Sequence, residues 1–417
     1  MIRTINGDVS GKTLVAVDNT NHGPGLLNTV GIPVVYVNGN VKSDAFFLNK
    51  PIDTGFFNYD LFFRPTGSGV FELKSFLGAG AFVLPQLITA AQDMWHAGSD
   101  TWFDRSTDLR VLLNGGAAPA GDPGAKYAEA DAQPGSPNIT PAVWVRGAGN
   151  WLDRDASANV SAYGRDYRYN LNRDLQTVDF QGGIDLGKRG LFSDNDILVF
   201  GALGGFIHSD LDYDQINRLF DFQGGQVGGY ATYLRGGLFV DTLLNVHLLE
   251  LNTSTLGFPN SINATTVGLR ADSGYRFGSF SHGAFIEPLA TISINGAEID
   301  GFSLGGNRVS FGDDPNVRGR LGLRVGTSMP VWAGTTMEPF VIGSLWGNLS
   351  DNNQATLVST GTTFHLEDNL EDVWGEVSAG VNFFNPLANT SVFAKLDVTF
   401  GDNIDGVGGK AGMRVTW

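Results

Sequence analysis

The chain has 417 residues, no cysteine, 57 glycines and only 17% charged residues. Its length predicts more than one domain. The lack of cysteine excludes disulfides, thiolate metal sites and cysteine nucleophiles, and it suits a chain that crosses an oxidising compartment unfolded. The net charge of −16 excludes nucleic acid as a partner, because phosphate recognition needs clustered Lys and Arg.

The first 75 residues contain short β-rich runs separated by Gly, Asn and Asp. These runs cover residues 13–17, 34–37, 45–48 and 59–63. They predict short stacked strands, as in a rung of a β-helix or at the edge of a sandwich. Residues 1–7 lack the basic segment, the long apolar core and the cleavage site of a secretory signal, so for an exported protein we expect that signal upstream.

Residues 85–113 place apolar side chains at helical spacing. The apolar positions are Leu87, Ile88, Ala91, Met94, Trp95, Trp102, Leu109, Leu112 and Leu113. Because Gly98 and Ser99 interrupt the pattern, it predicts one broken helix or two short helices. The most apolar stretch, residues 75–92, contains Gly, Pro and Gln, so the chain has no run of the ~20 apolar residues that a membrane-spanning helix requires.

Residues 114–140 are rich in Gly and Pro and show neither helical nor strand periodicity, which predicts a linker. The pattern changes again at residue 141. From residue 141 to residue 417, apolar and polar residues alternate in segment after segment. About twelve such segments, joined by short turns, reach the C-terminus.

Alternation also fits a soluble β-sandwich, but three features favour a transmembrane barrel. The number of segments is even, and closure removes the unpaired edges that hydrocarbon would penalise. Aromatic residues lie near segment ends on the apolar face, at Trp151, Tyr275, Phe383, Phe400 and Trp417. The polar face carries both signs of charge, at Arg146, Arg270, Asp272, Arg276, Glu287, Arg320, Arg324, Glu376 and Asp397. We therefore predict a lumen that is wet or filled by something polar.

Several stretches resemble the autotransporters of type V secretion, and the resemblance covers nearly the whole chain. In chain order, the stretches are similar to the end of a pertactin-like β-helical passenger (residues 11–17, 31–37 and 57–61), the helical linker (102–110), the first barrel strand (143–147), two later strands (285–288 and 319–324) and the closing strand (408–417). The order and spacing of these stretches carry the resemblance.

The resemblance implies an all-β chain with a C-terminal 12-stranded antiparallel transmembrane β-barrel, an N-terminal α-helix in its lumen and the end of a β-helical passenger before it. The implied domains are an autochaperone-like passenger end (1–75), a helical linker threading the barrel (76–113), a Pro/Gly-rich linker (114–140) and the barrel (141–417). The implied function is a Gram-negative outer-membrane translocator and anchor that displays its own passenger on the cell surface. It implies no enzyme activity and no cofactor. The expected partners of a monomeric barrel are outer-membrane lipid, the barrel-assembly machinery and periplasmic chaperones.

The resemblance also implies three sets of functional residues. The barrel-assembly signal comprises Trp417, Val415, Met413 and Ala411. The lumen-lining residues expected to contact the helix are Arg146, Arg270, Glu287, Arg320, Arg324 and Glu376. The linker-helix residues expected to meet them are Asp104, Arg105, Asp108 and Arg110. His247 is expected to face the lumen and the helix; in the alternative interpretation, the lumenal charges only solvate an open pore.

The chain departs from the family pattern at one point. Some members cut themselves between two asparagines inside the linker helix, but residues 85–113 contain no Asn-Asn pair. The corresponding positions are Asp100 and Thr101. We therefore expect the passenger to remain attached to the barrel.

Two other functions remain open at this point. The barrel could be a channel or porin whose lumenal charge sets ion selectivity, with residues 1–140 as an accessory domain. It could also be an outer-membrane hydrolase with an acidic site at Asp210, Asp212 and Asp214. The six histidines are spread over different elements and the acidic loops lack a twelve-residue Ca²⁺ pattern, so we predict no metal site.

Overall fold

The computed structural model describes most of the chain outside the predicted linker. The described residues are 3–20, 23–66, 68–103, 109, 138–193, 196–216, 218–280, 282–332, 334–385 and 388–416. The predicted linker-helix residues Asp104, Arg105, Asp108 and Arg110, and the C-terminal Trp417, lie outside them.

The N-terminal part is a small β-structure with both parallel and antiparallel pairs. Its strands are β1 (Arg3–Asn6), β2 (Thr13–Leu14), β3 (Ile32–Asn38), β4 (Phe46–Phe47), β5 (Ile52–Asp53), β6 (Phe57–Thr66) and β7 (Ser68–Leu77). Arg3 pairs with Val35 and Thr13 pairs with Phe46, both in parallel and at nearly the same offset along the chain. This is how successive coils of a β-helix stack. The antiparallel hairpin β6–β7 then completes the sheet, in the order β1-β3-β7-β6-β5.

One long helix follows, α1 (Ala79–Phe103). The structure corrects the expectation of a break at Gly98, because α1 runs through that residue without interruption. Most of its side chains are buried on every side, as expected for a helix enclosed by other elements. Within the described residues, no helix is long and apolar enough to cross a membrane.

The rest of the described chain is β-structure. Its strands are β8 (Asn138–Arg154), β9 (Ser157–Ala162), β10 (Arg165–Asn170), β11 (Arg173–Arg189), β12 (Asp196–Tyr213), β13 (Leu219–Arg235), β14 (Leu238–Asn252), β15 (Ser261–Tyr275), β16 (Gly283–Ile299), β17 (Phe302–Leu304), β18 (Asn307–Phe311), β19 (Asn316–Trp332), β20 (Thr335–Asn348), β21 (Asn353–Ser359), β22 (Thr362–Asp368), β23 (Val373–Asn385), β24 (Thr390–Phe400) and β25 (Ile404–Thr416). Twelve of them form a closed barrel in the order β11-β12-β13-β14-β15-β16-β19-β20-β23-β24-β25-β8. Every neighbouring pair is antiparallel, so the predicted twelve-stranded antiparallel barrel is confirmed.

The two ends of the barrel differ. At the loop end, β9 and β10 form a hairpin, and β17, β18, β21 and β22 form a four-stranded sheet from two separate loops. At the turn end, most of the described connections are short, as between β13 and β14, and this is where β8 begins and β25 ends. The helix α1 enters the barrel at the loop end.

The pleat of the strands gives the barrel wall two different faces. On β14, Val240, Leu244 and Leu248 are exposed on the outer face, whereas Asp241 and His247 are buried on the inner face. The predicted aromatic residues Trp151, Tyr275 and Phe400 are also exposed on the outside. An apolar outer face with aromatic residues near the strand ends is typical of a transmembrane barrel.

Candidate functional site

The site is the lumen of the barrel, which α1 fills. Toward the loop end, many of the contacts are apolar: Leu84, Leu87 and Met94 belong to one buried cluster with wall residues such as Leu211 and Phe222. The lumen in this part is therefore partly apolar, in addition to the polar residues that the sequence led us to expect. A wall that packs a helix needs apolar inward residues, which the period-two pattern alone does not reveal.

Among these apolar residues, Asp93 of α1 binds two arginines of the wall. Its carboxylate accepts hydrogen bonds from Arg154 Nε at 2.9 Å and Nη2 at 3.1 Å, and from Arg318 Nη2 at 2.6 Å. All three side chains are buried. Charge-assisted bonds of this kind, one of them bidentate, are among the strongest in proteins.

Two turns later, Asp100 lies among four cations of the wall. Lys410 Nζ is 2.7 Å from Asp100 Oδ2, Arg270 Nη2 is 3.3 Å from Oδ1, Lys395 Nζ is 3.8 Å from Oδ2 and Arg320 Nη1 is 4.0 Å from Oδ1. The four cations are at most 3% exposed. They come from β15, β19, β24 and β25, so one carboxylate joins α1 to four strands.

Polar wall residues also bind the backbone of α1. Gln181 Nε2 donates to Gly98 O at 2.7 Å, and Arg146 Nη1 donates to Thr101 O at 2.9 Å. Asn295 Nδ2 donates to Gln92 O at 3.1 Å. Each of these bonds gives a buried carbonyl oxygen of the helix a hydrogen-bond partner in the wall.

Two glycines let the helix and the wall approach closely. A Cβ at Gly268 would lie 2.4 Å from the Trp95 ring, whose Nε1 donates to Asn245 O at 3.1 Å. A Cβ at Gly98 would lie 3.2 Å from His247 Cε1. His247 thus faces the lumen and α1, as the sequence predicted.

The loop end is closed over the helix by the four-stranded loop sheet. Asp368 on β22 accepts hydrogen bonds from Thr89 of α1 and from Arg173 of β11, each at 2.6 Å. Asn353 on β21 donates to Gln92 Oε1 at 2.8 Å. The sheet therefore lies across the mouth of the barrel and is hydrogen-bonded to α1 beneath it.

The hairpin β9–β10 holds the N-terminal part from another side. Asp60 on β6 accepts from Arg165 at 2.7 Å and from Tyr167 at 2.8 Å. The ring of Tyr167 stacks on Phe76 with centroids 4.0 Å apart, and Tyr169 OH donates to Leu77 O at 3.1 Å. We call residues 23–77, which these loops contact, the root.

Other loops of the barrel also bind the root. Asn307 donates to Gly25 O at 2.9 Å, and Leu27 N donates to Ser359 Oγ at 3.0 Å. Arg218 binds Asp53 at 2.9 Å. The root is thus fixed to the barrel by hydrogen bonds, ion pairs and aromatic packing from several loops.

The predicted lumenal residues divide into two groups. Arg146, Arg270 and Arg320 contact α1 as described above. Arg324 binds Glu338 at 3.3 Å, and Glu376 accepts from Trp346 Nε1 at 3.2 Å. Glu287 is buried in the wall. For the last three, contact with the helix stays a prediction.

The sequence reasoning missed the main charged residues of the site. Asp93 and Asp100 are the carboxylates of the described helix that bind the wall, and the sequence did not single them out as partners of the wall; the predicted Asp104 and Asp108 lie outside the described residues. The available signal was that α1 carries only these two acidic residues and no Lys or Arg. An isolated carboxylate in an apolar helix needs a buried cation as its partner.

Three of the predicted barrel-assembly residues, Ala411, Met413 and Val415, lie on the closing strand β25, and Trp417 lies outside the described residues. Ala411 and Met413 are exposed on the outer face of β25 and Val415 is half-buried, while Arg414 between them points inward to Asp185 at 2.9 Å. Their recognition by an assembly machinery stays a prediction.

Of the predicted acidic site, Asp210 and Asp212 lie on the outer face of β12, and Asp214 is exposed just after that strand. Asp210 and Asp221 flank His208 at 3.4 and 3.6 Å, and all three side chains are partly exposed. Among the described residues this is the one group with the spacing of metal ligands. It is remote from the lumen and from α1.

Comparisons with known proteins agree with this architecture. Residues 143–397 match the family model of the autotransporter beta-domain. The pertactin autotransporters of Bordetella parapertussis and Bordetella bronchiseptica are each 27% identical over 201 residues, which covers 43% of this chain and 20% of the relative. This chain thus spans about a fifth of the length of these relatives.

Solved structures show the same fold. The beta domain of the Bordetella autotransporter BrkA matches with a TM-score of 0.50 and 19% identity, over 67% of this chain and all of that one. The transport unit of AIDA-I from Escherichia coli matches with a TM-score of 0.51 and 15% identity, over 66% of this chain and 90% of that one. Since the family model covers more than half of the sequence, the chain belongs to the autotransporter beta-domain family.

Proposed function

We propose that the chain exports an N-terminal passenger, of which the root is the last part, and that α1 is the segment left in the pore. The observation that carries this proposal is the threading of α1. A closed barrel surrounds the helix, with the N-terminal β-structure at the loop end and the start of β8 at the turn end. A chain with this topology has passed through the lumen, or the barrel has closed around it.

We assign the four predicted domains to steps of this process. Residues 1–75 are the passenger end, which folds outside the cell, and residues 76–113 are the linker, whose helix α1 stays in the lumen. Residues 114–140 are the Pro/Gly-rich linker before the barrel of residues 141–417, and β8 begins within its last residues, at Asn138. The work is transport and anchoring, and we assign no catalytic step to the barrel.

The partners follow from the same assignment. The exposed apolar residues of the outer face fit lipid acyl chains. Ala411, Met413, Val415 and Trp417 are the proposed signal for the barrel-assembly machinery, after periplasmic chaperones have carried the unfolded chain. Closure of all twelve strands leaves no unpaired edge, which supports a monomeric barrel.

The experiment combines surface display with conductance. The full chain, preceded by an export signal and an N-terminal epitope, is produced in a Gram-negative host; the epitope should be accessible to antibody on intact cells. The purified full chain should conduct little in planar bilayers, and a chain that lacks residues 3–103 should conduct strongly. Steady, large conductance by the full chain would instead support a channel.

A further inference from the structure

The only formal charges on the 25 residues of α1 are the carboxylates of Asp93 and Asp100. They are seven residues apart, so they lie two turns apart on nearly the same face of the helix. Each meets its own group of wall cations: Arg154 and Arg318 around Asp93, and four cations around Asp100. Two charges on the helix therefore match two separate charged positions on the wall.

This arrangement distinguishes one position of the helix from its neighbours. A slip by one turn, about 5.4 Å, would remove both carboxylates from both groups of cations. A slip by two turns would bring Asp93 to the four cations, but it would leave the uncharged Gln86 between Arg154 and Arg318. Buried cations without a counter-charge are strongly unfavourable, so one position alone satisfies both groups.

We propose that Asp93 and Asp100 are positioning residues that set the register in which the exported chain comes to rest in the barrel. By fixing the register, they also fix which residue emerges at the loop end and can meet the loops that hold the root. This inference rests on the proposed translocator function. It adds to that function that the cations of the wall recognise the spacing of the two carboxylates on the helix.

Packing between the helix and the wall is the alternative explanation of the same register. Trp95 fits against Gly268, and Gly98 fits against His247, so packing alone could hold the helix in place. The two causes differ in what happens when the acidic residues move along the helix. If charge sets the register, the helix follows the carboxylates; if shape sets it, the helix stays.

The chain contains no cysteine, so an introduced pair reports the register without background. The pair Gly98→Cys with His247→Cys reports the native register, because these positions face each other and the new side chain replaces the ring that Gly98 accommodates. The pair Trp102→Cys with His247→Cys reports a slip of one turn. Both pairs are bridged with a short thiol crosslinker in the full chain.

The test moves both acids by one turn. In D93N/A97D/D100N, the acids stand at 97 and at the native Asp104, again seven residues apart. We expect crosslinking to change from 98–247 to 102–247, because the cations then recover both partners only after the helix slips. The matched control D93N/A97N/D100N/D104N has the same added bulk at residue 97 and neither relocated acid, and its 98–247 yield should fall by about tenfold without a new dominant pair, since the lost buried ion pairs exceed the free energy of a tenfold population change.

A wall variant tests the proposal without altering α1. Arg154→Gln, Arg318→Gln, Lys395→Gln and Lys410→Gln together should also spread the crosslinks over several registers, because both groups of wall cations are then weakened. Crosslinking that stays at 98–247 in all these variants would overturn the proposal and assign the register to packing. The same samples are checked for conductance: a closed pore with an unmoved helix refutes only the register inference, whereas a fully open pore in the unmodified chain refutes the plugged translocator itself.

Discussion

Single buried charges join parts of this molecule that are distant in the sequence. Asp93 binds Arg318 across 225 residues, and Asp368 binds Arg173 across 195. The sequence identifies such residues as isolated charges in apolar surroundings but not their partners, because no local spacing links them. For this reason the sequence drew attention to wall residues such as Arg270 and Arg320, but it did not single out Asp100, the helix carboxylate beside them.

The ion pair between Arg173 and Asp368 gives a prediction at this scale. Asp368→Asn leaves the Arg173 guanidinium buried without a counter-charge, and we expect a loss of about 3 to 5 kcal/mol in stability. The double variant R173M/D368L, which removes both charges, should recover most of that loss. Thermal unfolding followed by tryptophan fluorescence measures both. Equal destabilisation by the two variants would contradict this account.

Tyr169 gives a prediction of pH dependence outside the membrane. Burial raises the pKa of this tyrosine from 10 to about 12, and its hydroxyl donates to Leu77 O. Because the pKa is raised in the folded state, the contact is fully stable below pH 10 and weakens as the pH rises from 10 to about 12. Limited proteolysis of the root across this range should show increased cleavage, with phenolate absorbance rising in parallel.

The conservative variant provides the control for this titration. Tyr169→Phe removes one ionisable hydroxyl, so the cleavage of its root should depend less steeply on pH above 10, although Tyr167 still titrates. Identical pH profiles for the variant and the unmodified chain would show that Tyr169 does not contribute.

At the scale of secondary-structure elements, long strands with regular alternation of apolar and polar residues could be predicted from the sequence, and short strands could not. Alternation over long segments such as β14 predicted the twelve barrel strands, because each strand has one face toward lipid and one toward the lumen. The four-stranded loop sheet escaped prediction because β17 and β18 have only three and five residues, and β18 pairs with β21 from another loop. The break expected at Gly98 was wrong because the wall needs a small residue there, and the surrounding contacts hold the helix continuous.

The close contact between Gly268 and the Trp95 ring gives a prediction about how α1 packs against the wall. A Cβ at this position would lie 2.4 Å from the Trp95 ring, so Gly268→Ala must displace the indole or the strand. Overpacking of this kind costs about 1 to 3 kcal/mol. In planar bilayers, we expect the variant to open more often than the unmodified chain.

A glycine of the same barrel serves as the control. Gly296 on β16 has nothing within 4 Å of the Cβ that alanine would add, so Gly296→Ala changes strand propensity without touching the helix. It should conduct as little as the unmodified chain. Similar opening in both variants would mean that backbone effects, not the fit of Trp95, control the seal.

For the molecule as a whole, the contacts explain how the root is held at the loop end of the barrel. The root is bound by the β9–β10 hairpin on one side and by the loop sheet on the other, and α1 connects it to the interior of the barrel. These contacts stabilise display only while the chain is intact between the root and β8. Attachment of the passenger is therefore the property on which the whole arrangement depends.

We predict that the chain remains one polypeptide after export. Residues 85–113 contain no Asn-Asn pair, and the carboxylate at the corresponding position, Asp100, is held by wall cations, 2.7 Å from Lys410 Nζ. Outer membranes from cells that carry the epitope-tagged chain should give a single full-length band after heating. As the positive control, a protease site inserted at the exposed residues 42–44 should release the epitope from intact cells when protease is added. Two fragments without added protease, with a new N-terminus between residues 85 and 113, would show instead that the barrel cuts its own linker.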